Sequence, residues 1–176
     1  ASMPDISINI SVLDLDDEEL PRRAQKILLE AAPADRWTFE VTETAPITDV
    51  APALSILTRL RIAGFKLSVD DFGTGTSNYE RLLVAPFTEL KIDRAMVSRL
   101  DINADEPDPM VRSGIDVGHS LQLQVVAEGV ESVDQFRMVR DLGCDAAQGY
   151  LISPPVAPVQ LDMALDDWRR KFEYLS

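Results

Sequence analysis

Lys66-Leu67-Ser68-Val69-Asp70-Asp71-Phe72-Gly73-Thr74-Gly75 is an apolar, β-like run that ends in two adjacent carboxylates and a glycine-rich turn. Adjacent aspartates repel, so a strand that delivers both to one spot needs cations, hydrogen bonds or open solvent to keep them ionised. A divalent metal meets that need. The alternative is a strand followed by a solvated turn, since Asp and Gly are common turn residues. The rest of the chain bears on the choice.

Upstream, Trp37 to Glu43 reads as a second strand. On a period of two, Thr38, Glu40 and Thr42 share a face, which sets Glu40 in a β-branched and apolar strand where an unpaired carboxylate would be costly. Glu43 points the other way, at the strand terminus. Nearer the start, Ile6, Ile8 and Ile10 alternate with Ser7, Asn9 and Ser11, giving a short strand with one polar face. Downstream, Leu90-Lys91-Ile92-Asp93 is a brief strand ending in charge. Leu123 to Glu131 repeats the theme, with Glu128 and Glu131 beside Gly129. Ala146 to Ile152 is read as a sixth strand, stopped by Pro154-Pro155.

Helix-sized segments separate most of these strands. One runs from about Pro21 to Ala31 behind the acidic stretch Asp14 to Glu19, which reads as a solvated cap. A second places Ala53, Ile56, Leu57 and Leu60 on one face and closes at Gly64. A short piece follows at about Tyr79 to Val84. After a loop from Asp101 to Asp108, a further helix is expected from Pro109 to Leu121, with His119 in a cap or surface role near its end. Ser132 caps the next helix, with Gln135 at the capping-box position and Gly143 ending it. The last helix is read from Pro158 to Glu173. Cys144, in a helix-to-strand turn, reads as a small buried residue.

With 176 residues, 45% of them hydrophobic and 27% charged, the chain can build one domain with a real core. It carries 17 basic and 30 acidic side chains, and the resulting charge of -13 argues against general binding to nucleic acid or anionic membrane. A single cysteine allows no internal disulfide. No segment reads as a membrane span or a targeting signal, so a cytoplasmic location is expected.

Asn9, Glu40, Asp70, Lys91, Glu128 and Gln148 each fall at or near the C-terminal end of a separate predicted strand. Short apolar strands alternating with amphipathic helices give a parallel α/β sheet whose function collects at the carboxyl ends. A doubly wound sheet gathers its ligand at one switch point, whereas six strand ends converging on one polar centre favour a TIM-like (β/α) barrel. A closed barrel needs eight strands, so the expected fold is an incomplete barrel with about six of eight β/α units.

Taken together, Ile8-Asn9-Ile10-Ser11, Glu40-Val41-Thr42-Glu43, Asp70 to Gly75, Lys91-Ile92-Asp93, Ala127-Glu128-Gly129-Val130-Glu131 and Gln148-Gly149-Tyr150 resemble the motifs of the EAL domain family. Its members are bacterial phosphodiesterases that linearise cyclic di-GMP on a TIM-like barrel with two Mg²⁺ or Mn²⁺ ions. The resemblance implies that Asn9, Glu40 and Asp70 bind one metal and that Asp70 and Asp71 bind the second, Asp70 bridging. Lys91 and Glu128 would hold and deprotonate the attacking water, with Asp71 also at the catalytic centre. Gln148 resembles a contact to a metal-bound water, Glu131 a supporting carboxylate, and Glu43 the anchor of the loop Phe72-Gly73-Thr74-Gly75. Sensory or GGDEF-type partner domains are implied for the parent protein.

Two departures stand out. The Glu-Ala-Leu segment that names the family is absent, so residues 1–176 are expected to be a single, N-terminally truncated domain. Thr76 stands where the family has tyrosine, and Asn78 where serine is common. Six strands cannot close an eight-stranded barrel, so the outer two, around Ile8 and Leu151, are expected to leave open edges. Homodimerisation or self-association through those edges follows, with impaired activity of the chain alone. Beside the phosphodiesterase reading stand a catalytically inactive cyclic di-GMP receptor or protein-interaction module on the same fold, and a barrel hydrolase of another phosphoester.

Overall fold

A computed structural model describes residues 4–42, 50–72, 85–101 and 108–172. Glu43, Gly73, Thr74, Gly75, Thr76, Asn78, the expected helix at 79–84 and the side chain of Asp71 lie outside the described residues. Six strands form one sheet: β1 (Ile6–Ile10), β2 (Trp37–Thr42), β3 (Lys66–Phe72), β4 (Glu89–Ile92), β5 (Gln124–Ala127) and β6 (Ala146–Ala147). The helices between and after them are α1 (Leu20–Leu28), α2 (Val50–Ile62), α3 (Arg94–Val97), α4 (Pro109–Ser120), α5 (Val133–Asp141) and α6 (Leu161–Phe172).

Every strand pairs in parallel with its successor, in the order β1-β2-β3-β4-β5-β6. No strand order reverses, which removes the switch point of a doubly wound sheet. The side-chain parity says the same. Phe39, Val41, Leu67, Val69, Leu90, Ile92, Val125 and Ala127 are buried in two apolar clusters under the helices. The alternate positions carry Thr38, Glu40, Ser68, Asp70, Glu89, Lys91 and Glu128. Helices cover one face and polar groups line the other, which is the layering of a barrel wall.

α2 buries Ala53, Ile56, Leu57 and Leu60 against β2 and β3, the face its periodicity predicts. Fully burying one such aliphatic chain contributes about 1.5–3 kcal/mol. Gly64 and Gly143 end their helices with φ of +95° and +97°, the left-handed region expected of glycine at a helix terminus. Ser132 and Gln135 form the reciprocal capping box of α5. The acidic stretch behind β1 also serves capping, since Asp14 accepts from the Ser11 backbone N–H at 2.7 Å.

Three expectations need correction. The sixth strand is confined to Ala146–Ala147, and Leu151 lies in a turn, so the outer strand is not around Leu151. Beyond Ala147 the chain still bonds the segment after β5, Gln148 N–H donating to Ala127 O at 2.8 Å and Leu151 N–H to Val130 O at 3.0 Å, but not as a regular strand, and Gly149 packs directly on the Val130 backbone. α1 ends at Leu28, short of Ala31. The final helix begins at Leu161 after a 3-10 turn over Pro158–Gln160. Among the described residues β1 and β6 do not pair with each other, and the sheet is open.

Candidate active site at the strand ends

The geometry starts from an irregularity in β3. Val69 pairs with Leu90 and Phe72 with Ile92, so Asp70 and Asp71 together oppose Lys91. This is a β-bulge: one strand carries two residues where its partner carries one. The extra residue returns Phe72 to the same apolar cluster as Val69.

Lys91, with its side chain 4% exposed, is the centre of the polar face. Its Nζ lies 2.6 Å from Glu128 Oε1, 3.0 Å from Glu40 Oε2 and 3.3 Å from Asp70 Oδ1. Three strands and the segment after a fourth thus supply one cluster. Burial disfavours the ammonium, but hydrogen bonds to Glu128 and Glu40 outweigh it and hold the Lys91 pKa above the ordinary lysine range. Burial raises the Glu128 pKa, and repulsion from Asp70 and Glu40 adds to this against the opposing pull of Lys91. The lysine is therefore firmly cationic, while the carboxylates crowd one another.

The other predicted residues take different places. Asn9 pairs in register with Glu40 but is exposed on the edge strand. Gln148 is exposed beyond β6, and its backbone bonds Ala127 and Val130. Glu131 stands outside the Lys91 cluster and pairs with Arg94 Nη2 at 2.8 Å. Asp93, at the end of β4, caps α3 by accepting from the Ala95 N–H at 2.7 Å. His119 is a surface group 3.1 Å from Asp145, and burial with the neighbouring Asp145 pushes the Cys144 thiol up to about 12.

Sequence reasoning passed over Glu89, although its spacing of two from Lys91 places it on the same face. Burial raises its pKa and Glu40 adds to this, despite the proximity of Ser68. The Ser68 hydroxyl is itself fully buried, with no partner in hydrogen-bond geometry among the described residues. A carboxyl whose pKa is higher in the folded protein than in the unfolded chain costs stability once the pH exceeds the unfolded value. Glu89→Gln is therefore expected to melt higher than the wild type at pH 8. That advantage should close as the pH falls towards 4.5, the ordinary glutamate value. Thermal melts across this range check it; equal melting temperatures at pH 8 would contradict it.

The donor chemistry fits a hard divalent cation. Glu40, Asp70 and Glu128 offer oxygen only, and against one ammonium they leave two negative charges unbalanced (three carboxylates less one lysine). In this arrangement those carboxylates are drawn onto Lys91. No three Asp, Glu, His or Cys groups among the described residues are spaced to hold an ion.

The EAL domain family model matches residues 2–155. The chain belongs to the EAL domain family. A relative named cyclic di-GMP phosphodiesterase PA2567, from Pseudomonas aeruginosa, is 34% identical over 170 residues, covering 94% of this chain. This EAL chain spans 28% of that relative's length. The structure of PaMucR phosphodiesterase in a c-di-GMP complex matches with a TM-score of 0.80 at 35% identity, over 89% of this chain and 70% of that one. Klebsiella pneumoniae BlrP1, in a manganese and cyclic di-GMP complex, matches with a TM-score of 0.73 at 31% identity, over 85% of this chain and 38% of that one.

Proposed function

We propose that this EAL domain is the catalytic part of a divalent-metal-dependent phosphodiesterase that opens cyclic di-GMP to the linear dinucleotide. The observation that carries the reading is the buried Lys91 amid Glu40, Asp70 and Glu128 at the carboxyl ends of a sequentially ordered parallel sheet. The names of PA2567, PaMucR and BlrP1 support the substrate, and the manganese in the BlrP1 complex supports the metal class. Mg²⁺ or Mn²⁺ is the proposed ion.

Glu40, Asp70 and Asp71, with Asn9 at the edge, are the residues that would hold two such ions. Bound there, the ions would neutralise phosphodiester charge and acidify a water. The remaining steps belong to the protein. Lys91, kept charged by its neighbours, orients the water and carries positive charge towards the developing phosphorane. Glu128, 2.6 Å from Lys91 Nζ, receives the proton. Gln148 and Glu131 support the site from its rim, Glu43 is the proposed anchor of the segment Phe72 to Gly75, and that segment is the proposed link from metal ligands to nucleotide.

The whole domain is proposed to be a barrel wall completed by further β/α units, from a longer form of the chain or from a second copy. The support is that β1 and β6 remain unpaired with each other among the described residues. Sensory or GGDEF-type domains of the parent protein would regulate it. Among the described residues no helix is long and apolar enough to cross a membrane; a cytoplasmic location is part of the proposal.

The test is to incubate the intact protein carrying this domain with cyclic di-GMP in Mn²⁺, in Mg²⁺ and in chelator, and to separate the products. Linear dinucleotide formed only with metal is expected. Tight binding with no consumption in either metal would replace the enzyme reading by that of a receptor.

A further inference from the structure

The loop that carries Glu128 is held from both sides, and one of the holding groups lies outside every motif read from the sequence. Glu128 donates its backbone N–H to Ile92 O at 3.0 Å, which fixes the carboxylate's own backbone to the end of β4. Immediately after it, Gly129 adopts φ +66°. A β-carbon there would lie 2.3 Å from Arg94 Cγ and 2.6 Å from Arg94 Cβ, so the Arg94 stem lies directly against the bare glycine backbone. The Arg94 guanidinium then reaches over the turn to Glu131 at 2.8 Å. On the far side, Val130 donates to Gln148 O and accepts from Leu151 N, both at 3.0 Å.

We infer that Arg94 is a positioning residue: with Gly129 and Glu131 it forms a latch that keeps the Glu128 carboxylate on Lys91 Nζ. The inference rests on the proposed phosphodiesterase reading. The pair being positioned is short, 2.6 Å, and displacing a reacting group by about 1 Å can cost on the order of 10²-fold in rate. Glu131 is too exposed for its ion pair with Arg94 to add much to stability, since solvent screens surface pairs. Its bond to Arg94 instead fixes where the arginine stem lies, and Gly129 is the residue that allows the stem so close.

The experiment compares wild type, Arg94→Ala, Arg94→Lys and Glu131→Gln in the intact protein. Arg94→Ala is expected to lower kcat about 10- to 100-fold with KM changed by no more than about twofold, because the group displaced acts on the water and not on the nucleotide. Arg94→Lys keeps a stem and a charge and is expected to recover most of that loss. Two further readouts do not depend on turnover. The Lys91 ¹⁵Nζ signal is expected to shift or broaden in Arg94→Ala, and amide exchange at residues 128–131 to rise, while the rest of the sheet keeps its protection. Glu131→Gln gives the same pattern more weakly and serves if Arg94→Ala fails to fold. An unchanged Lys91 signal with unchanged exchange at 128–131 would overturn the latch, as would a fall in kcat that Arg94→Lys does not relieve. If wild type consumes no cyclic di-GMP but the Lys91 signal responds as described, the latch stands and the proposed function is what fails.

Discussion

Lys91→Met is expected to remove turnover almost completely, lowering kcat/KM by about 10²–10³-fold, as loss of a positioned charge at a reacting centre does elsewhere. The same substitution should destabilise the domain by roughly 3–5 kcal/mol, because removing one partner of a buried ion cluster leaves the others uncompensated. Glu40, Asp70 and Glu128 all approach the one ammonium, so the loss falls on three carboxylates together. The sign of the pH dependence follows. Without Lys91, Glu128, whose carboxylate burial already disfavours, holds its proton more tightly in the folded protein than in the unfolded chain. The stability deficit should therefore be greatest above the ordinary carboxylate range and narrow as the pH falls into it. Activity assays and thermal melts at pH 8 and pH 5 check both effects. A variant that melts like wild type at pH 8 would show that the cluster does not depend on Lys91.

Glu128→Gln is expected to separate chemistry from folding. As the proposed proton acceptor its loss should lower kcat about 10²–10⁴-fold, the usual range for a general base. Lys91 retains Glu40 at 3.0 Å and Asp70 at 3.3 Å, so the variant should fold and keep its nucleotide affinity. Glu128 is also the group whose carboxylate is disfavoured by burial and by its acidic neighbours, and a neutral amide relieves that crowding. Single-turnover kinetics with a parallel binding measurement test this. Loss of binding in step with loss of turnover would move Glu128 from proton transfer to substrate recognition.

Much of this was legible because parity along a strand is a local property. The spacing of Glu40 within its strand, and of Lys91 between Leu90 and Ile92, placed both on the polar face before any tertiary contact was known, and the structure brings them within 3.0 Å. Gly64, Gly143 and the Ser132–Gln135 box marked helix ends for equally local reasons. What the chain concealed depends on neighbours distant in sequence. The apolar run at Ala146 to Ile152 has the composition of a strand, yet regular pairing covers only Ala146 and Ala147, and the chain then turns with Gly149 on the Val130 backbone. The bulge that sets Asp70 and Asp71 opposite Lys91 had a signal, the spacing of three between the buried Val69 and Phe72. Arg94 had none, since only the folded chain lays its stem on Gly129. Asp93 read as one more charged strand end and proved to be a helix cap.

The carboxylates gathered on Lys91 are proposed to work with divalent metal in hydrolysing a cyclic dinucleotide. Turnover of cyclic di-GMP by the intact protein, measured with Mn²⁺ and with chelator beside Lys91→Met and Glu128→Gln, tests it most directly. Linear dinucleotide is expected from wild type only when metal is present, with both variants slower by at least about 10²-fold. Wild-type turnover that is indifferent to metal, or variants that match the wild type, would contradict it.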